Sequence, residues 1–328
     1  MTVAMNPEQW LGFISREYLA SFVREGGSAA KFCVARDESD RRAVQDGMRR
    51  HAAELGFVLA EIDAARTRVH LVDQIFFQVA AQLDWDTLAC RMLADLLRRE
   101  QLIAPAPQSR PFVLEAARLN ETDAKALSIT LRKRLTELVF KRSDLARDFR
   151  VAMYSLCDQL LAETTGIDAT GPIRDWLTGG NRNISAVKPY GIYNRVTRNN
   201  ARHLLESLFK WVRICGYPGT IILADISRLT IAHNPRDGLH YYTAAQLLDA
   251  YEVLRQFVDA LDRMEGAFFL VMADYPFLDQ DPLARGIERY EALKFRIYDE
   301  VRAGRPNPMA SLVRLCFDPR CWTDGQHD

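Results

Sequence analysis

The segment Gly26–Gly56 has the sequence GGSAAKFCVARDESDRRAVQDGMRRHAAELG, which indicates the fold of the chain. It has the pattern of a short buried strand (Lys31–Ala35), a tight connection and a helix (Ser39–Leu55) that ends at a glycine. A nucleotide-binding α/β domain carries its phosphate loop between a strand and a helix of this kind. We therefore predict that the segment is the first strand and helix of an α/β domain.

The chemistry of a phosphate loop is missing from this connection. The pattern G-x-x-x-x-G-K-[ST] supplies glycines for close backbone approach, a lysine for the β/γ-phosphates and a hydroxyl for Mg²⁺. The residues at those eight positions here are Ala35, Arg36, Asp37, Glu38, Ser39, Asp40, Arg41 and Arg42. Both glycines are replaced, the hydroxyl is lost, and acidic side chains stand where a triphosphate would bind. We predict a vestigial phosphate loop.

Strand and helix patterns alternate on both sides of a long helical region. Phe57–Ile62 is a second apolar strand, and an apolar helix follows it over Val69–Leu83. Near the C-terminus the predicted helices and strands are, in order, Asn194–Cys215 (helix), Thr220–Asp225 (strand), Tyr241–Arg263 (helix), Ala267–Ala273 (strand), Glu288–Arg302 (helix) and Ser311–Leu315 (strand). This alternation predicts a parallel sheet with crossover helices on its faces.

The middle of the chain interrupts this alternation. From Trp85 to about Thr165 the pattern is helical and shows no strand, and Gly166–Lys188 has the composition of a loop or linker. We predict three parts. Residues 1–84 form the first half of the α/β domain, residues 85–188 an all-helical insertion with its linker, and residues 189–328 the second half.

The balance of positive and negative residues limits the kinds of ligand that the protein can bind. The 328 residues include 43 Lys and Arg against 43 Asp and Glu, so the net charge is zero. This excludes nucleic-acid binding driven by overall charge but leaves room for a local basic face.

No apolar run approaches the roughly 20 residues of a membrane span, and the N-terminus lacks a signal-peptide core. Six scattered cysteines without a C-x-x-C pattern indicate reduced, buried thiols. We predict a cytoplasmic protein.

The stretch GYPGTIILADISRL, from Gly216 to Leu229, resembles a known family. A helix, Gly-Tyr-x-Gly, four apolar residues and an acid are similar to the Walker B region of the BREX ATP-binding proteins. These BrxC/BrxD-type P-loop proteins of bacterial phage defence are related to AAA+ and origin-initiator ATPases. GGSAAKF, NNARHLLESLFKWV and RGIERYEALKFRI resemble the same family in the same order, so that the likeness covers roughly residues 10–84 and 190–316. It implies a P-loop NTPase-like α/β fold.

The departures from the family pattern concern its catalytic residues. In the family the Walker B strand ends in Asp-Glu, where the Asp helps to hold Mg²⁺ and the Glu orients the attacking water. Here Asp225 stands at the first position and Ile226 at the second, so we predict a vestigial Walker B motif. Because phosphoryl transfer is mostly positioning and charge neutralisation, these losses imply a pseudo-ATPase. The resemblance then implies a scaffold or regulator in a defence assembly, with no catalytic residues, no metal site and no cofactor.

Two basic stretches are candidates for DNA contact. Leu131–Arg150 is rich in Lys and Arg, and Asn181–Arg202 interleaves arginines with Tyr190 and Tyr193. Cations that neutralise phosphates, with aromatic rings available for stacking, suit nucleic acid, whereas a solvated charged surface is the plainer interpretation. The residues proposed for DNA contact are Arg132, Lys133, Arg134, Lys141, Arg142, Arg195, Arg198 and Arg202.

Three functional alternatives remain open from the sequence. The first is an inactive ATPase-like subunit that binds protein partners, such as an ATPase, helicase or nuclease of the same system, or itself. The second is a nucleotide-binding switch without hydrolysis, in which Arg41 or Arg42 replaces the lysine and ATP with Mg²⁺ is the ligand. The third is a DNA-binding adaptor. As AAA+ relatives do, the chain could also donate an arginine to a neighbouring subunit's nucleotide, and the candidates are Arg285, Arg289 and Arg296.

Overall fold

The computed structural model describes residues 4–107, 109–162, 170–180, 183–298 and 307–318. The chain forms two compact units. Residues 1–79 and 218–328 form the sheet unit, and residues 80–217 form the helical unit. Within the predicted linker Gly166–Lys188, residues 166–169, 181 and 182 lie outside the described residues, as do residues 299–302 of the helix predicted over Glu288–Arg302. The domain boundaries at residues 84 and 188 stay predictions.

A five-stranded parallel sheet is the centre of the sheet unit. Its strands are β1 (Ala29–Ala35), β2 (Val58–Asp63), β3 (Thr220–Asp225), β4 (Ala267–Ala273) and β5 (Leu312–Leu315). The strand order is β2-β3-β4-β1-β5, and every neighbouring pair is parallel. The predicted fold class, a P-loop NTPase-like parallel sheet flanked by helices, is confirmed.

Some helices flank the sheet within the sheet unit, and others form the helical unit. The described residues contain α1 (Pro7–Phe13), α2 (Glu38–Leu55), α3 (Val72–Ala80), α4 (Trp85–Arg99), α5 (Phe112–Leu119), α6 (Ala124–Leu135), α7 (Arg147–Ala162), α8 (Gly171–Thr178), α9 (Ala201–Ile214), α10 (Ala244–Asp259) and α11 (Glu291–Ile297). The bounds of β3 and β4 are those predicted from the sequence, because both strands are continuous apolar runs that a parallel sheet buries on both faces.

The two faces of β4 show how the sheet is covered. Phe268, Leu270 and Met272 belong to the core cluster that also contains residues of α1 and α2. The alternate residues Phe269 and Val271 line a small apolar cavity together with side chains of α3 and α10. Since successive side chains of a strand point to opposite faces, each face of β4 has its own helical layer.

The sequence predicts a helix from Pro7 to Glu25, because its apolar residues are at helical spacing, and the structure shows two helical geometries there. α1 begins at an N-cap, Asn6, whose side chain accepts from the N–H groups of Glu8 and Gln9. From Ile14 to Val23 the backbone is a π-helix. Its buried residues Ile14, Leu19 and Val23 are five and four positions apart, which matches the wider π turn. The apolar spacing therefore predicted a helix correctly but not its type.

The helical unit contains α4 to α9 and no strand among its described residues. Trp85 of α4 packs edge-on against Phe149 of α7, with ring centroids 6.4 Å apart. Asp148 on α7 is buried, and its Oδ2 accepts from the backbone N–H and the side-chain amide of Asn194 at 3.1 and 2.7 Å. These hydrogen bonds hold the segment before α9 against the first turn of α7.

The described cysteines lie in the protein interior. The five cysteines within the described residues are buried and free of disulfides, and burial raises the pKa of the thiols of Cys33 and Cys157 above its usual value. Cys321 lies outside the described residues. Among the helices that the structure describes, none combines the length and the hydropathy needed to cross a membrane.

Candidate functional site

The carboxyl ends of β1, β3 and β4 meet at one edge of the sheet. In the register, Val34 of β1 pairs with Ala273 of β4, and Asp225 of β3 pairs with Met272 of β4. From β1 the chain passes through α2 to β2 at the outer edge, whereas from β4 it returns past β1 to β5. Open α/β sheets bind ligands where neighbouring strands connect in opposite directions. The candidate site is therefore the position between the carboxyl ends of β1 and β4.

The connection from β1 to α2 is only two residues long, Arg36 and Asp37. Asp37 is the N-cap of α2, and its Oδ1 accepts the backbone N–H of Asp40 at 3.0 Å. Since α2 begins at Glu38, most of the predicted vestigial loop Ala35–Arg42 is the first turn of a helix. A helix N-terminus is a natural anion site, and here a carboxylate of the chain itself takes one of its N–H groups.

Arg41 points from α2 to the end of β3. Its Nε lies 2.9 Å from Oδ2 of Asp225, and each side chain is 16% exposed. Arg41 also pairs with Glu38 one turn earlier. Arg42, at the position of the hydroxyl residue, pairs with Glu38 at 2.9 Å and is 70% exposed. The two arginines at the lysine and hydroxyl positions thus have different environments, one largely enclosed and one solvated.

Both carboxylate oxygens of Asp225 have partners within the chain. Oδ2 faces Arg41, and Oδ1 accepts from the backbone N–H and the hydroxyl of Ser227 at 3.0 and 2.7 Å. The next residue, Ile226, is 1% exposed and lines the apolar cavity under α10. The position that would carry the catalytic glutamate of the family is therefore part of the apolar core.

Asp274 brings a second carboxylate to this edge at the end of β4. Both of its oxygens lie 2.9 Å from the hydroxyl of Thr230. Burial raises the pKa of Asp274, and the hydrogen bond from Thr230 and the charge of Arg41 oppose that increase. The charge of Asp225 raises the same pKa further. We call these five residues, Arg41, Asp225, Ser227, Thr230 and Asp274, the polar cluster.

Residues near the C-terminus lie beside the first turn of α2. Arg36 pairs with Asp318 through Nη1 and Oδ2 at 3.3 Å. Asp40 is buried, and its burial and the charge of Asp37 raise its pKa, whereas a hydrogen bond from the backbone of Phe317 lowers it. The N-terminus of α2 is therefore surrounded by acidic side chains and by the chain's own backbone.

The remaining predicted sites of the sheet unit are the arginines proposed to act on a neighbouring subunit. Arg285 donates from Nε to the carbonyl of Leu229 at 2.9 Å and from Nη2 to that of Tyr242 at 2.7 Å. Arg289 donates to the carbonyl of Leu283 at 3.0 Å, and Arg296 pairs with Asp259 at 2.5 Å. All three have partners in their own chain, and their role between subunits stays a prediction.

The residues proposed for DNA contact fall into three groups. Arg132, Arg134 and Arg142 form ion pairs with Asp158, Glu100 and Asp144 respectively, at 2.6 to 2.7 Å. Arg202 is half-buried in the first turn of α9. The other four, which are exposed and have no acidic partner among the described residues, are Lys133, Lys141, Arg195 and Arg198.

Ser227 and Thr230 are members of the polar cluster that sequence reasoning missed. They lie in a single turn after β3, where Thr230 also donates to the carbonyl of Ser227 at 2.8 Å. No motif in the sequence singles out these two hydroxyls. Within the described part of the chain, no group of three or more His, Cys, Asp or Glu side chains is arranged to hold a metal ion.

The parallel sheet, with its site at the carboxyl ends of β1, β3 and β4, defines a protein of the P-loop NTPase-like class. A family model described as BREX system ATP-binding protein BrxC/D matches residues 19–317, and the chain belongs to this family. The resemblance found in the sequence is confirmed, and the match also includes the helical middle of the chain. Comparisons with curated proteins and with solved structures gave no match.

Proposed function

We propose that this chain is a member of the BREX ATP-binding family that neither binds nor hydrolyses ATP. Its role is that of a scaffold or regulator in a BREX phage-defence assembly. The observation that carries this proposal is the ion pair between Arg41 and Asp225, at 2.9 Å, in the position of the nucleotide site. It links the two residues that stand at the lysine position of the phosphate loop and the metal position of Walker B.

The geometry of the β1–α2 connection supports the absence of nucleotide. A phosphate cradle needs a glycine-rich loop whose N–H groups converge on the phosphates, and two residues are too few to form one. The side chains at the start of α2 are acidic, with Asp37 as N-cap and Asp40 buried one turn later. Bringing a triphosphate to this helix would place negative charges beside carboxylates in a partly enclosed site, which Coulomb repulsion opposes.

The polar cluster supports the absence of hydrolysis. In the resembling family the acid at the position of Asp225 helps to hold Mg²⁺, but here Arg41 and Ser227 already engage both of its oxygens. Ile226 has no group that accepts a proton or aligns water. Since phosphoryl transfer depends on positioning and charge neutralisation, a site that lacks lysine, glycines, hydroxyl and glutamate loses nearly all of its catalysis.

A scaffold role requires surface for protein partners. The most exposed large apolar side chains of the sheet unit include Leu283 and Phe295, which are 83% and 71% exposed. Tyr298, one turn after Phe295, and Met309 are exposed as well. Aromatic residues and Met are enriched in protein–protein interfaces. We propose that a protein of the same defence system, or a second copy of this chain, covers them.

Calorimetric titration of the purified chain with ATP and ADP, with and without Mg²⁺, tests the first part of the proposal. We expect no heat of binding up to millimolar nucleotide, whereas an active ATP-binding member of the family titrated in parallel should bind. Micromolar binding by this chain would overturn the proposal. The scaffold role is tested separately by affinity purification from cells that carry the complete system. A partner should remain bound in high salt, and Phe295→Ser should release it.

A nucleotide-binding switch without hydrolysis is the second candidate. It is favoured by Arg42, which is largely exposed on the first turn of α2 and pairs with an exposed carboxylate, Glu38. Arg42 is therefore available to a phosphate without disturbing the largely enclosed pair of Arg41 and Asp225. The same titration separates the two candidates. Binding of ATP that is lost in Arg42→Ala would establish the switch and reject the first proposal.

A further inference from the structure

The zero net charge of the chain conceals a separation of charge between its two units. Residues 80–217, the helical unit, contain 21 Lys and Arg against 15 Asp and Glu. The residues of the sheet unit contain 22 Lys and Arg against 28 Asp and Glu. The helical unit therefore has a net charge of +6 and the sheet unit one of −6. A ligand with negative charge is attracted to the helical unit.

The structure brings the two basic stretches of the sequence together at the start of α7. Arg147 places its guanidinium 5.4 Å from the ring centre of Tyr193. The next residue, Asn194, donates to Asp148 from both its backbone and its side chain. Residues 141–150 of the first stretch and residues 193–195 of the second are therefore neighbours within the helical unit.

Two more cations, Arg150 and Lys210, lie near the start of α7. Arg150 donates to the backbone carbonyl of Arg142, so its side chain reaches back over the turn before α7. Lys210 of α9 donates to the carbonyl of Asp144 at 3.2 Å. Including their sequence neighbours, the cations of this surface, which we call the basic patch, are Lys141, Arg142, Arg147, Arg150, Arg195 and Lys210.

Acidic side chains within the basic patch neutralise only part of this charge. Asp144 pairs with Arg142 through both oxygens, at 2.9 and 2.7 Å. Asp148 is buried and pairs with Arg147 at 2.7 Å. Glu137, one turn before Lys141, pairs with Arg134 instead. Six cations thus stand against two carboxylates, and Lys141 and Arg195 are exposed without an acidic partner among the described residues.

Aromatic rings lie next to these cations. Tyr193 is 58% exposed and lies beside Arg147. Phe140, directly before Lys141, is 44% exposed and packs edge-on against Tyr154, with ring centroids 5.5 Å apart. Cations alone are enough for a surface to bind an acidic protein. Exposed aromatic rings among the cations can in addition stack on the bases of a nucleic acid.

We propose that the basic patch binds nucleic acid, with its cations on the phosphate backbone and Tyr193 stacked on an unpaired base. This inference does not depend on the loss of the nucleotide site, because the patch lies entirely within the helical unit. Nucleic acid fits the patch better than an acidic protein does, since it combines regularly spaced negative charges with flat apolar rings. Of the residues predicted for DNA contact, Lys141, Arg142 and Arg195 belong to the patch.

Fluorescence anisotropy with a labelled single-stranded 30-mer DNA and its duplex, over a series of salt concentrations, tests the inference on the full chain. The variant is Lys141→Ala with Arg195→Ala, and both residues are exposed, so that folding should be preserved. We expect at least about tenfold weaker binding and a salt slope smaller by about 0.7 for each lost contact on single strands. The matched control is Arg16→Ala with Arg50→Ala, two exposed arginines of the sheet unit, which should bind as the original chain does.

Substitution of Tyr193 tests the stacking. Tyr193→Ala should weaken binding of the single strand by about fivefold or more and that of the duplex much less, whereas Tyr193→Phe should restore single-strand binding. Thermal unfolding of each variant shows whether its fold is retained. The inference would be overturned by an original chain that binds neither DNA, by equal losses in the control variant, or by tighter binding to polyglutamate than to DNA.

Discussion

The polar cluster of the sheet unit and the basic patch of the helical unit are both made of charged side chains, but they differ in how those charges are satisfied. In the polar cluster, Asp225 has Arg41 and Ser227 as partners, and Asp274 has Thr230. In the basic patch, six cations share two carboxylates, and Lys141 and Arg195 extend into solvent. Charged groups that already pair with one another are less available to a ligand, whereas cations without a carboxylate partner are available for binding.

The different pairing of charges in the polar cluster and in the basic patch indicates which of the two surfaces is available to bind a ligand. At the carboxyl ends of β1, β3 and β4, where the family is expected to bind nucleotide, the charged side chains of the polar cluster have partners within the chain. The charge available for contacts lies in the helical middle, where the sequence departs from any recognised motif.

Adding a carboxylate next to the polar cluster should be the most damaging change. Ile226→Glu restores the Asp-Glu pair of the family but places an acid at a position that is 1% exposed. We expect a loss of about 3 kcal/mol or more in the free energy of unfolding, because a buried acid without a partner is strongly unfavourable. Urea unfolding measures the loss, and Ile226→Val, which should cost about 1 kcal/mol, is the control. A gain of phosphate release from ATP in Ile226→Glu would contradict our account of the site.

Removing the arginine of the cluster should be the next most damaging change. Arg41→Ala leaves Asp225 largely enclosed with only Ser227 as its partner. We expect a loss of about 2 kcal/mol, below the range for fully buried pairs because both side chains retain some exposure. Arg42→Ala breaks an exposed pair with Glu38 and should cost less than about 0.5 kcal/mol. Equal losses in the two variants would show that the enclosed pair has no special role.

Lys31 is a contrasting case, because it is a buried cation that has no carboxylate partner among the described residues. It is 4% exposed, and its Nζ donates to the carbonyls of Met309 and Ala310 and lies 4.5 Å from the ring centre of Tyr18. Burial lowers the pKa of Lys31 to about 8. Between pH 8 and the ordinary lysine pKa near 10.5 the folded state therefore holds fewer protons than the unfolded state, and stability rises with pH across that window.

We expect the free energy of unfolding to increase by about 2 kcal/mol from pH 7.5 to pH 10, and this increase to disappear in Lys31→Met. Denaturant unfolding at a series of pH values measures it. Lys141→Met, at an exposed lysine of the basic patch, should leave the increase unchanged. If Lys31→Met retained the full increase, another group would be responsible for it.

Asp274 should show the smallest effect. Burial raises its pKa, so that between the unfolded and folded pKa values the folded state binds more protons and stability falls as pH rises. Asp274→Asn keeps a polar partner for Thr230 without the charge and should be more stable than the original chain at pH 7, by about 1 kcal/mol or less. At pH 3 the advantage should vanish, because the aspartate is then protonated in both states. The midpoints of urea unfolding of Asp274→Asn and of the original chain, measured at pH 7 and at pH 3, test this difference in stability.

Much of the fold was accessible from the sequence, for identifiable reasons. Thr220–Asp225 and Ala267–Ala273 were predicted with the bounds that the structure has, since both are unbroken apolar runs between glycines and turns. The parallel sheet flanked by helices was predicted from the alternation of strand and helix patterns and from the resemblance to one family, whereas the strand order β2-β3-β4-β1-β5 is known only from the structure. The π-helix from Ile14 to Val23 was not predicted, because its buried residues also satisfy helical spacing approximately.

The candidate site was predicted only in part. The residues at the glycine, lysine and glutamate positions can be read along the sequence, and the prediction that Ala35–Arg42 and Asp225–Ile226 are vestigial motifs rests on them. The partners of these residues could not be named. Arg41 meets Asp225, and Thr230 meets Asp274, only because parallel strands bring their carboxyl ends to one edge of the sheet.

Short patterns of apolar and chemically distinctive side chains in the sequence were enough to predict the fold class and the family, and both predictions are confirmed. Only the tertiary structure decided which charges are paired and which are not. Residues 141–150 and 193–195 form one basic patch because buried Asp148 binds Asn194. Pairing depends on distances of a few ångströms between residues far apart in the chain, and those distances are set by packing rather than by local pattern.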